Sequence, residues 1–597
     1  MLPGRHCDFS GASIYCAYIQ RSCPVIAHCA GLRADAHLES RSVPSMLATL
    51  PDPYYYLENF QRVLDWIAQR YSDLLLDEER HFIEQFPTLP QSSRALLVRM
   101  VMRKGDLFRA SKLSYAEIGC PDDAAKPLLE LGWLQADPPL QIEQLFGLLR
   151  KAELANVLRL STASRSASKS ALLEQLRHEF PDAQPLTQWA VAEGVIDDVI
   201  YQVQLGALCE RLRLMFFGNL YQDWSEFVLS DLGIFRYEQV EFSASSRGFS
   251  CRQDIDDYLH LHHCRQRYNE GIALDEILPD IPADPYANSW LERRRNKLLF
   301  LFAQEFERAA DLPRALELYM GCNYPGARVR RIRVLEKSDD ADAAFALATS
   351  AFSAAESEAE HQALLRMLPR LRRKLGHPKL APLRPQLVEE HNLTLPYPSL
   401  PITVEQLVQE HLSSAQAPVF YVENTLINSL FGLLCWPAIF AALPGAFFHP
   451  FHQGPVDLHS ADFVHKRQHI FDACLAQLDD GRYRASIVDT FHLKSGIQSP
   501  FVFWGVIDEA LLMLALDCIP ARDLKKYFAR ILRDIPANRS GLPDLIQFWP
   551  QEKRYRMLEV KGPGDRLQDN QLRWIAYCLE HQLPVAVSYV QWLEQAA

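Results

Sequence analysis

The stretch GLPDLIQFWPQEKRYRMLEVKG, residues 541–562, decides how this chain is read. Two apolar-rich runs, 542–549 and 555–562, flank a polar segment with turn character at 550–554. The pattern predicts a β-hairpin. With the turn centred between Gln551 and Glu552, Asp544 falls opposite Glu559, and opposed residues of such a pair have Cβ atoms roughly 5 Å apart. Glu559 and Lys561 lie on one face of their strand, and Leu558 and Val560 on the other. One face of the hairpin then gathers Asp544, Glu559 and Lys561.

Carboxylates that close repel each other unless a cation sits between them. Hard oxygen ligands select Mg²⁺ or Mn²⁺, which keeps waters and accepts phosphate oxygens. Such an ion acidifies a bound water and polarises a phosphoryl group, the chemistry of phosphodiester hydrolysis. Lys561 would position that water or stabilise charge as the bond breaks. A surface hairpin carrying a salt-bridge ladder has the same spacing, so context decides. KGPGDRLQDNQLRWIAYCLEH follows, a Gly-rich break and then a helix expected to present Leu572, Ile575, Ala576 and Leu579 on one face. LPVAVSYVQW, 583–592, reads as a further strand. Strand, strand, helix, strand around these acids is the order of a restriction-nuclease-like core.

The chain has 597 residues, enough for several domains, with 48% hydrophobic and 23% charged residues, an ordinary globular balance. Its best membrane candidate, 426–445, is broken by Pro437 and reads as packed helices. The net charge of −12 argues against bulk coating of nucleic acid but leaves local basic patches free to bind phosphates. Thirteen cysteines without a CxxC pair suit a reducing cytoplasm. Cys7, Cys16, Cys23 and Cys29, near His6 and His28, fit no usual zinc spacing. Residues 1–45 read as a poorly structured extension, translated from upstream of the natural start.

From 46 to 400 the pattern is mainly helical. YYYLENFQRVLDWIAQRY places Leu57, Phe60, Val63, Leu64 and Ile67 at helical intervals, and SSRALLVRMVMRKG reads as a helix closed by Gly105. Short helices ending in the strand GWLQA suit a winged-helix-like unit over 46–140. In 141–185 two amphipathic helices flank a Ser-rich linker, where Arg165 and Lys169 lie beside a helix N-terminus that favours a phosphate. Residues 284–375 read as helical hairpins stacked like TPR units, without a clean repeat. A Pro-rich stretch, 377–401, then sets a boundary near 400.

Here a resemblance becomes specific. GLPDLIQFW, LEVKGPGDRLQDNQLRWI and VAVSYV resemble the VRR-Nuc branch of the PD-(D/E)xK nucleases. YVENTLINSLFGLLCWPAIFAALPGAFFHPFHQGPVDLHSADF resembles the lead-in of the Fanconi-associated nuclease family. RALLVRMVMRKGDLFRASKLSYAEI, the 141–180 segment and ARVRRIRVLEK match the same family, so the resemblance covers nearly everything after residue 45. The first 45 residues lack the ubiquitin-binding zinc finger of eukaryotic relatives, which marks a bacterial-type member. The resemblance implies a multidomain, mainly α protein: winged-helix and SAP-like DNA-binding units (46–140, 141–185), a TPR-like region (186–400) and an α/β nuclease core (401–597). It implies a structure-specific DNA nuclease that cuts 5′ flaps and trims DNA 5′-to-3′ in interstrand crosslink repair.

Carried over by residue, the resemblance gives Lys561 as the catalytic lysine. It gives Mn²⁺ or Mg²⁺ held by a helix-borne Glu423, Asp544, Glu559 and the Val560 carbonyl. Asn424 departs from the family's small residue after the Glu. Read on its own, Glu423 near a helix start is also ordinary dipole compensation. Gln571 occupies a position the superfamily uses for site support, though a helix-surface Gln needs no role. His492 and Lys494 are further candidates for substrate contact, and Asp565 is expected to cap its helix. For DNA, Arg94, Arg99, Arg103, Lys104, Arg109 and Lys112 would cradle a duplex arm, aided by Lys169. Arg328, Arg330, Arg331 and Arg333 would hold a 5′-terminal phosphate. Each is also readable as a solvated helix face or an intra-repeat salt bridge, the commoner case for any single residue. Two rival functions stand beside this one: a nuclease of another substrate class, restriction-associated or RNA-directed, and a non-catalytic helical-repeat scaffold.

Overall fold

The computed structural model describes residues 52–593, except 161–166, 190–197, 244–245, 379–386 and 399–400. The extension at 1–45 and Arg165 lie outside the described residues. Among the described residues no helix is long and apolar enough to cross a membrane.

The N-terminal unit is built on helices α1 (Tyr55–Arg70), α2 (Gln91–Val101) and α3 (Pro121–Glu130). Phe60, Val63, Leu64 and Ile67 are fully buried, as the helical spacing required. α2 ends at Val101, ahead of Gly105, because the chain turns through 102–105 into strand β1 (Leu107–Arg109). Strand β2 (Leu134–Ala136) forms where GWLQA predicted one. The three-stranded sheet has the order β1-β3-β2, and its central strand β3 is Ile200–Val203. The SAP-like segment is therefore inserted into the winged-helix sheet, and segments that read as successive domains share one sheet. Among its described residues that segment forms three helices, α4 (Ile142–Leu148), α5 (Lys151–Val157) and α6 (Lys169–Leu176), rather than two. A break at Leu149 and Arg150 ends the first, and Glu153 caps the restart by accepting from the Arg150 N–H at 2.6 Å.

The helical region stacks α7 (Ser289–Arg308), α8 (Leu312–Met320), α9 (Ala327–Lys337), α10 (Ala341–Ser353) and α11 (Glu358–Lys374), each packed on the next. Asp311, Asp340 and Ser357 cap α8, α10 and α11 by accepting from backbone N–H groups.

The C-terminal sheet has the order β4-β8-β7-β6-β5. Its strands are β4 (Glu389–Leu395), β5 (Val419–Tyr421), β6 (Leu545–Trp549), β7 (Arg554–Lys561) and β8 (Val585–Trp592). β4 runs parallel to β8 and β8 to β7; the other pairs are antiparallel. β4 comes from within the Pro-rich stretch, so the sheet begins ahead of the boundary expected near 400. Helix α12 (Val404–Leu412) covers one face over Leu545, Leu558 and Val560. The other face meets α13 (Leu426–Leu434), which is buried on every side, α14 (Ala521–Arg533) and α15 (Asp569–Glu580). α15 buries Trp574, Ile575 and Cys578, while Leu572 and Ala576 are exposed. The apolar stripe is thus rotated from the predicted one, because Trp574 anchors the helix: its indole N–H lies 3.2 Å from the carbonyls of both Asn538 and Ser540.

Gly541 lets the β6 entry pass under α15. Its φ is +88°, and an added Cβ would lie 2.7 Å from the Asn570 backbone. Gly541→Ala should therefore cost on the order of 2 kcal/mol in strain and clash. Gly105→Ala, at φ +90° with open space around it, should lose only about 1 kcal/mol. Thermal melts of the two variants check the difference.

Candidate active site

The hairpin has the register the turn required. Leu545 pairs with Leu558 and Trp549 with Arg554, so Asp544, one residue before β6, stands opposite Glu559. A 3₁₀ turn at Pro550–Glu552 closes it, with Lys553 at φ +49°. The Val560 N–H donates to Asp544 Oδ2 at 2.8 Å, and the Val422 N–H donates to the Asp544 carbonyl at 2.8 Å. Asp544 thus ties three strands at the point where β6 starts, β7 ends and β5 ends.

Asp544, Glu559 and Lys561 are together, buried at 6%, 0% and 8% exposure. Lys561 Nζ stands 2.8 Å from Glu559 Oε1 as an ion pair, yet neither Glu559 oxygen receives an aligned hydrogen bond. Burial, then the neighbouring Asp544, pushes the Glu559 carboxyl up to about 8. Burial also raises Asp544, to about 6, with Glu423 and Glu405 adding to the shift against the Val560 hydrogen bond. For Lys561, burial works against the charge, but Glu559 and Asp544 outweigh it and the ammonium is raised.

Glu423 is on the turn between β5 and α13 rather than on the helix, which starts at Leu426. Its Oε2 accepts from the Tyr421 hydroxyl at 2.6 Å and its Oε1 from the Asn424 amide at 3.1 Å. Asn424 has φ +53°, a conformation that glycine and asparagine tolerate best, so its departure from the family pattern preserves the turn. Its side-chain oxygen also accepts from the Leu542 N–H at 3.0 Å, linking this turn to the β6 entry. Burial, then Glu423, drives the Tyr421 hydroxyl far above its ordinary value, so it stays a donor.

Among the described residues, no group of three His, Cys, Asp or Glu side chains is already gathered around a metal position. The donor set nevertheless fits a hard cation: a fully buried carboxylate with the Lys561 ammonium on one oxygen and no aligned hydrogen bond on either, a second raised carboxylate beside it, and Glu423 within electrostatic reach of both. Glu405, in the first turn of α12, adds a further negative charge. In sequence it reads as dipole compensation after the Thr403 cap, so nothing there signalled it.

Other candidates are placed elsewhere. Gln571 does not support the site: its side-chain oxygen accepts from the Gln568 N–H at 2.8 Å and caps α15. Asp565 does not cap that helix but closes the preceding turn, accepting from the Gly562 N–H at 3.1 Å. Lys494 pairs with Glu238 at 2.7 Å, and His492 lies 3.5 Å from Glu509. Arg109 is buried and paired with Glu153 and Asp198 at 2.8 and 2.7 Å, pinning β1 to α5. Lys169 donates to the Leu149 carbonyl at 2.7 Å, and Arg99 pairs with Glu117 at 2.7 Å over the Tyr56 ring. Arg328 grips Glu360 at 2.6 Å, while Arg330 and Arg333 stand 3.3 and 3.7 Å from Glu307. Arg109 and Arg328 are thereby tied into the fold. Arg331 is half-buried, and Arg103, Lys104, Lys112 and Arg333 are exposed.

Three family descriptions match the chain: "FAN1, HTH domain" over 54–135, "Fanconi anemia-associated nuclease SAP domain" over 139–189 and "VRR-NUC domain" over 478–592. The last spans the hairpin acids and Lys561 but not Glu423. A Fanconi-associated nuclease 1 homolog of Pseudomonas aeruginosa is 56% identical over 550 residues, covering 92% of this chain and 98% of that protein. A homolog of the same name from Schizosaccharomyces pombe is 23% identical, covering 90% and 91%. A crystal structure of paFAN1 bound to 2nt 5′ flap DNA with a gap is similar at TM-score 0.89 and 56% identity, covering 92% of this chain and all of that one.

The raised carboxyls predict a pH dependence for the metal-free protein. The folded Glu559 holds a proton up to about pH 8, against 4.5 for a free glutamate, and Asp544 up to about 6 against 3.8. Between these values the unfolded chain binds fewer protons, so stability falls as pH rises from about 4 to 8. Melts in chelator should show this loss. Mn²⁺ should restore more stability at pH 8 than at pH 6, and Glu559→Gln should flatten both trends.

Proposed function

This chain belongs to the Fanconi-associated nuclease family, and on that premise we propose that it hydrolyses DNA phosphodiesters at 5′ flaps by metal-assisted attack of water. The observation that carries the reading is the fully buried Glu559 carboxylate beside Asp544, with the Lys561 ammonium against one of its oxygens. Asp544 and Glu559 would hold a divalent cation, with Glu423 and the Val560 carbonyl completing the donors. That cation, Mg²⁺ or Mn²⁺, would polarise the scissile phosphoryl group and acidify water when bound. Asp544 contributes a carboxylate whose direction is fixed by the Val560 N–H. Glu559, free of other hydrogen-bond donors, offers both oxygens. Lys561 neutralises part of the carboxylate charge and places an ammonium next to the phosphate, where it orients the water or stabilises the leaving oxygen.

The flap preference comes from the Pseudomonas relative, whose structure holds 5′ flap DNA. Exonucleolytic 5′-to-3′ trimming and a part in crosslink repair in a bacterial cytoplasm follow from the family resemblance. Of the basic side chains, Arg103, Lys104, Lys112 and Arg333 keep the exposure that phosphate contact needs, and Arg331 is a secondary candidate.

Labelled 5′ flap, nicked duplex, plain duplex and RNA substrates, each with Mn²⁺, Mg²⁺ or chelator, test the assignment. Flap DNA should be cut with metal and spared in chelator. Asp544→Ala, Glu559→Ala and Lys561→Ala should each lower the rate by about 10³-fold or more while flap binding persists. Preferential RNA cleavage, or a Glu559→Ala protein cutting at the parental rate, would overturn the reading.

A further inference from the structure

Glu423 is held on both oxygens by its sequence neighbours, but the two bonds differ. The Tyr421 hydroxyl approaches Oε2 at 2.6 Å, and the Asn424 amide approaches Oε1 at 3.1 Å. Tyr421 is also the more firmly placed partner. It ends β5 in register with Leu545, and the next residue, Val422, donates to the Asp544 carbonyl. The tyrosine is therefore fixed by the sheet relative to Asp544, one residue from the strand it pairs with. Tyr421 ends β5 and Glu423 opens the turn two residues on, and the hydroxyl reaches Glu423 across that step. The ring itself is 45% exposed. Burial of apolar surface does not explain a tyrosine at this spot, and a phenylalanine would fill the same space. The hydroxyl is the part that bonds.

We propose that Tyr421 is a positioning residue, whose hydroxyl fixes Glu423 Oε2 and so leaves Oε1 as the oxygen offered to the divalent cation, with the longer Asn424 bond giving way. A carboxylate ligand anchored through its outer oxygen loses less freedom on binding, and such outer partners set metal affinity by 10–100-fold in general. The inference deepens the metal-dependent reading of the site and rests on it.

Isothermal titration of Mn²⁺ alone into the full-length, chelator-stripped protein separates the two. The parent chain should bind Mn²⁺, and Tyr421→Phe should bind it about tenfold or more weakly. The variant's melting temperature in chelator and its affinity for flap DNA in chelator should stay at parental values, which a structural defect would move. In cleavage assays the Mn²⁺ concentration at half-maximal rate should rise by the same factor, while the rate at saturating Mn²⁺ is retained. Equal Mn²⁺ affinity of parent and Tyr421→Phe overturns the role of Tyr421 and leaves the metal site standing. A parent chain that binds no Mn²⁺ overturns both.

Discussion

The structure depends on keeping two carboxyl groups and one ammonium in a corner that water scarcely reaches. Glu559 has no exposed surface, and the single ammonium beside it does not balance Asp544 as well. A chain selected for stability alone would place apolar side chains here, since buried ionic groups are seldom worth their desolvation. The sheet instead builds the corner rigidly. Asp544 is bonded through its side chain to β7 and through its carbonyl to the residue after β5, so the acids cannot separate without breaking the ladder. Strain of this kind, retained at one place and supported by strands on both sides, is what a site prepared for a cation looks like.

Much of this was legible in 22 consecutive residues, because a hairpin with a short turn is a local object. The turn centre fixed the register, and the register fixed which residues share a face. What stayed hidden is long-range. β3 closes the N-terminal sheet from beyond the whole SAP-like insertion, and β4 joins the nuclease sheet from within a Pro-rich stretch. Neither pairing leaves a mark in the local pattern. Glu405 and Tyr421 were missed for the same reason: their meaning lies in which carboxylate they face.

The arginine clusters teach the opposite lesson. Their density suggested phosphate contacts, yet several of their guanidinium groups are taken by acids distant in the chain. Arg109 meets acids 44 and 89 residues away, and Arg328 meets Glu360 32 residues away. Sequence shows a cation but not its partner, and a half-buried arginine more often has one. Exposure is the better filter, and it leaves Arg103, Lys104, Lys112 and Arg333 on the surface.

The helical region is likewise part of the nuclease rather than an appendage. Arg366 of α11 forks onto Asp569 at the start of α15, and Gln362 accepts from Arg573 at 2.8 Å. Arg530 of α14 pairs with Glu358 of α11 at 2.8 Å and lies over the rings of Trp574 and Tyr577, buried enough that its guanidinium is pushed down. One face of α11, from Glu358 to Arg366 over about two turns, thus grips both helices that flank the catalytic sheet. α15 in turn follows Lys561 after a short Gly-containing link and sits on Gly541, so α11 packs against the two helices that frame the acids.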